Sequence, residues 1–162
     1  MNGQPDRGMS EIVKTMTRLV SGFILVFGAY IVIFGHLTPG GGFAGGIIIA
    51  FAFLLLTLSF GQEVALSKFS LRATHVWDAI GASAFLAIAL LGFAAARPDR
   101  FFFFNLDIFS KTAEFELLSA GSIPLSNVAI GIKVGACLFG VFIALSLFRR
   151  DKSEAGSGEK NK

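Results

Sequence analysis

Hydrophobic positions in this chain gather into runs rather than alternating with polar ones. Four runs dominate: about Leu19 to Gly35, Phe43 to Phe60, Ala79 to Ala96 and Val128 to Phe148. Each approaches the ~20 mostly apolar residues that a helix needs to cross a bilayer core. The pattern predicts an all-α integral membrane protein with four transmembrane helices. Residues 1–12 read as a flexible N-terminal segment, 13–148 as the transmembrane domain and 149–162 as a disordered tail, polar and rich in small residues. The first run follows Arg7, Lys14 and Arg18, as a secretory signal would. Its apolar stretch exceeds the usual ~7–15 residues and no small-x-small cleavage site follows, so it is expected to be an uncleaved span.

Composition supports the membrane reading. Of the 162 residues, 54% are hydrophobic and 15% charged, and nineteen are Phe. A soluble domain of this size buries only about two-thirds of its open-chain surface, so lipid must cover part of this one. The net charge of +3 is modest, and the basic residues sit at the ends of the apolar runs, which speaks against a nucleic-acid surface. The N-terminal segment, the 61–76 loop and the tail together carry ten Lys and Arg, against three in the loop 97–126. The excess predicts that both termini are cytoplasmic, with a long outer loop between the third and fourth spans. That loop, RPDRFFFFNLDIFSKTAEFELLSAGSIPLSN, is too apolar to hang in water. It is expected to lie along the membrane interface or against a partner subunit. Cys137, the single cysteine, reads as a small buried hydrophobe.

The connector between the first two runs, GHLTPGGGFAGG, is nearly free of side chains and holds no charged residue. Pro39 suits the first turn of a helix, and glycine tolerates irregular backbone. Irregular backbone at membrane depth survives only where protein or water covers it. The stretch is therefore expected to be a tight turn wedged among neighbouring helices, with Pro39, Gly40, Gly41, Gly42, Phe43, Gly45 and Gly46 shaping turn and packing. It is not a phosphate-binding loop, since no Lys follows at the required spacing and no strand precedes it. Gly41–Gly45, Gly42–Gly46 and Gly131–Gly135 are small-residue pairs at fourfold spacing, which lets helix backbones approach. Pro124 stands just before the last span as Pro39 stands before the second.

Three titratable residues are candidates for an ion path or for charge pairing: Lys133, His36 and Asp78. Lys133 lies about two turns inside the fourth run, with Ala129, Ala136, Cys137 and Gly140 on its helical face. That face predicts a close helix neighbour rather than lipid, although snorkelling to the outer surface is the alternative. Asp78, placed at the cytoplasmic start of the third run, would lie ~20 Å from Lys133 by helix rise. Its expected role is to complement the helix dipole. Lys133 then lacks a carboxylate within the spans, so its counter-charge is expected to come from another polypeptide. His36, at the outer end of the first run, could accept a proton or cap that helix. His75 reads as solvated. There is no nucleophile–base pair, metal cluster or cofactor motif; the expectation is no enzyme, no cofactor and no bound metal. Four spans with one buried charge enclose no ion site, which disfavours a standalone carrier.

HLTPGGGFAGG with the span after it, and SAGSIPLSNVAIGIKVGACLF, resemble two signatures of the B subunit of Mrp-type (Mnh-type) multisubunit cation/proton antiporters. The resemblance covers about residues 15–148. It implies an accessory subunit of a hetero-oligomeric membrane antiporter that exchanges Na⁺ for H⁺. Large subunits related to respiratory complex I would transfer protons, and smaller ones would help form the sodium path and the assembly. On the matching positions, Pro39, Phe43, Pro124 and Lys133 are the functionally sensitive residues that the resemblance implies. Similar modules occur in membrane-bound hydrogenases and sulfur reductases, so a structural membrane-arm subunit of such a redox-driven complex is the second expectation. A packing spacer, with Lys133 merely pairing a neighbour, is the third.

Overall fold

Chain stretches this apolar satisfy their backbone polar groups within helices, because hydrocarbon offers no hydrogen-bond partners. A computed structural model describes residues 9–37, 39–61, 71–94 and 120–159. The described residues form four helices: α1 (Glu11–Ile33), α2 (Gly41–Phe60), α3 (Leu71–Ala94) and α4 (Ile123–Glu159). All four are long and apolar enough to cross a membrane, α3 over Leu71–Gly92 and α4 over Ile123–Phe148. The all-α, four-span expectation holds. The third helix starts eight residues before the predicted position, and the fourth begins at Ile123 rather than near Val128. Helix α4 also continues to Glu159, through the segment that composition assigns to disorder. The segment 1–8 and the Phe-rich stretch of the outer loop lie outside the described residues, as do Glu63, Lys68, Glu114 and Glu116.

Glycine sets three of the helix boundaries. Gly61 has a φ of 89° and its N–H closes α2 onto the carbonyl of Thr57. Gly121, at φ 68°, turns the chain into α4. Pro124 follows within the first turn of that helix, where its missing N–H costs nothing. Pro39 does not take the equivalent place. It sits in the turn ahead of Gly40, whose φ of 134° makes it the residue that launches α2.

The helices pack in the order α1–α2–α4–α3, each against the next, with only a slight contact between α1 and α4. Small residues set the contacts. A Cβ on Gly45 would strike the side chain of Val32, and one on Gly28 would meet Ile49 at 2.8 Å, so α1 and α2 touch nearly backbone to backbone. A Cβ on Gly46 would lie 2.7 Å from the carbonyl oxygen of Gly131 across the α2–α4 contact. The deeply buried apolar side chains are correspondingly few and mostly small: Ala50, Ala52, Ala89, Ala129, with Val32, Phe139 and Ile143. Phe53 and Phe139 stack across α2 and α4 with ring centroids 5.8 Å apart. Phe23, Phe27, Phe43, Phe51 and Trp77 point outward. Even in α2, the best covered span, only 33% of the apolar window is buried. Near the end opposite the glycine turn, Arg18 lies over the ring of Phe60 at 4.8 Å, a placement suited to a cation held at the membrane surface.

Candidate functional site

Lys133 stands on α4, ten residues from Ile123, or about 15 Å along the helix. Gly81 stands on α3, ten residues from Leu71 and so also about 15 Å from that helix's start. The two positions meet. A Cβ on Gly81 would lie 2.8–2.9 Å from the backbone nitrogen, Cα and Cβ of Lys133. Two helices that start from opposite sides thus cross near the middle of a ~30 Å hydrocarbon layer, and glycine is what permits the approach. Gly140 repeats the device two turns along, with Thr74 3.0 Å from its would-be Cβ.

One turn before Gly81, Asp78 accepts a hydrogen bond from the Lys133 ammonium, with Nζ and Oδ1 2.7 Å apart. This corrects three expectations. Asp78 does not head its helix, and it is not ~20 Å from Lys133. The counter-charge comes from the same chain. The error lay in the boundary. Arg72, Thr74, His75 and Asp78 make the first two turns of α3 look like loop, so its start was placed at Ala79. The small-residue face of Lys133 is the side against which α3 packs: Ala129 is buried and Gly140 meets Thr74.

A lone cation at mid-bilayer costs roughly 2.5–3.5 kcal/mol on insertion scales, and a carboxylate a similar amount. Pairing removes part of that cost for each. It does not hide the pair: the Lys133 side chain remains 45% exposed and that of Asp78 33%. Apart from Glu11 at the very start of α1, Asp78 is the one carboxylate among the described residues within the apolar length of a helix. It is the described group at this depth that can take up a proton or a monovalent cation, and Lys133 already engages it.

The glycine turn is a separate feature. His36 lies in the turn after α1, half-buried. Asn127 of α4 fills the space beside it: its amide nitrogen lies 3.0 Å from the would-be Cβ of Gly35, and its Oδ1 accepts from the backbone N–H of Gly42 at 3.4 Å. That N–H belongs to the first turn of α2, which has no side-chain cap of its own. A Cβ on Gly42 would collide with the Asn127 carbonyl. The turn is thus wedged against α4, as irregular backbone at this depth requires. Asn127 and Lys133 are six residues apart, so turn and ion pair are separated by about 9 Å of helix. Asn127 and Gly81 were not singled out from sequence. An amide inside an apolar helix start and a glycine at i+3 from Asp78 were the available signs.

Comparisons with known proteins fit this arrangement. Residues 12–140 match the family described as a domain related to the MnhB subunit of Na⁺/H⁺ antiporter. An uncharacterised protein of Methanocaldococcus jannaschii is 35% identical over 133 residues, which is 80% of this chain and 49% of that protein. A Staphylococcus aureus (strain Newman) protein, provisionally named antiporter subunit mnhB2, is 44% identical over 57 residues, 35% of this chain and 40% of that protein. Among solved structures, a chain of the membrane-bound sulfane sulfur reductase, an archaeal respiratory membrane complex, is similar with a TM-score of 0.69 at 32% identity. That alignment covers 89% of this chain and 60% of the other. The chain therefore spans about half the length of the curated relatives it matches.

Proposed function

The chain belongs to the family of domains related to the MnhB subunit of Na⁺/H⁺ antiporters, and on that premise we propose that it serves as an accessory membrane subunit of a multisubunit cation/proton antiporter. It contributes to the sodium path and to assembly of the complex in the cell membrane, alongside other subunits that carry the main proton transfer. The observation that carries the reading is the match of residues 12–140 to this family, and the Lys133–Asp78 ion pair within the apolar helices is the chain's candidate for a part in the ion path. A carboxylate paired with a tethered ammonium forms a unit of zero net charge. Uptake of a proton by Asp78, or approach of Na⁺, loosens the ammonium, and the freed positive charge raises the cost of a second cation nearby. The pair thus sets the field along a route that Na⁺ and H⁺ share.

The test is made on the intact complex in everted vesicles. Lys133→Ala should lower Na⁺-dependent proton flux, measured per complex recovered, on the order of tenfold. Lys133→Arg keeps the charge and should retain more flux than Lys133→Ala. Equal wild-type flux per complex recovered, in both variants, removes the ion pair from the transport reading and leaves Lys133 a packing role.

A second reading is supported by the likeness to a chain of the sulfane sulfur reductase complex. In it, the chain is a structural membrane-arm subunit of a redox-driven complex. Iron–sulfur absorbance in the isolated complex would favour this reading, and a complex without such absorbance would favour the antiporter.

A further inference from the structure

Resting on the reading of the chain as a subunit, we propose that the flank of α3 and α4 bearing Asp78 and Lys133 docks against a transmembrane helix of a different subunit, one that presents a polar acceptor to the Lys133 ammonium. The argument begins with what the pair lacks. An ammonium has three N–H donors and a carboxylate two acceptor oxygens. Among the described residues, one hydrogen bond joins them and no further partner meets either. The ammonium side is the more open, with 45% of the Lys133 side chain exposed against 33% for Asp78. The crossing at Gly81 places this opening near mid-bilayer, where lipid supplies neither donors nor acceptors.

The surface around the pair is shaped for another helix. Ala79 and Ala82 on α3 and Cys137 on α4 border it, and Ala79 and Cys137 are exposed. Small side chains beside a polar group let a second backbone come close enough to deliver a hydrogen bond. The other face of the helix row does not serve the pair. The cleft there, of about 340 Å³, is bounded mostly by apolar side chains such as Val32, Phe53 and Ile132, and neither Asp78 nor Lys133 lines it. The matching chemistry on the partner is a carboxylate, an amide carbonyl or a hydroxyl oxygen, carried on a membrane-spanning helix.

Photo-crosslinking in the intact complex tests the contact. With Cys137→p-benzoylphenylalanine, and independently Ala79→p-benzoylphenylalanine, irradiation should shift this chain by the mass of one other subunit. Adducts confined to phospholipid, to a second copy of this chain or to its own segments overturn the proposal. The polar nature of the contact is read from Asp78→Asn combined with Lys133→Met. Removing both charges from a lipid-facing site should leave assembly equal to wild type or better. Removing them from opposite a polar partner should reduce the recovered complex at least threefold, and recovery at or above the wild-type level overturns the proposal. Neither readout measures ion flux, so lipid adducts would end the docking inference while leaving the transport test intact.

Discussion

At the scale of single residues, the α2–α4 contact leaves no room for a methyl group. Gly42→Ala would drive a Cβ into the Asn127 carbonyl, so overpacking of about 1–3 kcal/mol is expected. It should appear as a lower melting temperature of the detergent-purified protein. Asn127→Ala should cost about 1 kcal/mol in the same assay, since it removes the acceptor for the Gly42 N–H. The glycines at fourfold spacing were legible in the sequence because the spacing is local. Asn127 was not, because its partner lies 85 residues away and no local pattern gives the register between two helices. Lys133 was legible as an expensive charge, while its partner was misassigned for the same reason. His36 was legible as a titratable group near the turn, but the ion pair lies elsewhere and any proton role for it stands as a proposal.

At the scale of elements, the boundaries carried the main error. Apolar run length located four helices, and all four are present. The polar residues at the start of α3 break the apolar run that marks a span, although the neighbouring helix supplies partners for them. Thr74 packs on Gly140 and Asp78 binds Lys133, so these residues face α4 rather than hydrocarbon. The crossing then depends on Gly81. Gly81→Leu should wedge α3 from α4 at the Lys133 backbone and separate the pair. A loss of at least ~1–3 kcal/mol is expected, read as a reduced yield of this chain in the assembled complex. The analogous change at Gly22, beside which there is open space, should leave the yield unchanged.

At the scale of the whole molecule, the order α1–α2–α4–α3 makes a row with two broad faces, and neither is closed by the described residues. The four described spans predict both termini on one side, and the basic residues predict that this side is the cytoplasm. In a Cys137→Ser background, Asn2→Cys and Lys162→Cys should react with an impermeant maleimide from the cytoplasmic side, and Pro39→Cys from the other. The long-range ion pair also has a consequence for biosynthesis. Asp78 leaves the ribosome 55 residues ahead of Lys133, a lag of about 3–11 s at usual elongation rates. During that interval the carboxylate rides on the least hydropathic of the four spans, with its ammonium still untranslated. Insertion of α3 ahead of the last helix therefore carries a cost of about 2.5–3.5 kcal/mol that the arrival of Lys133 later offsets in part.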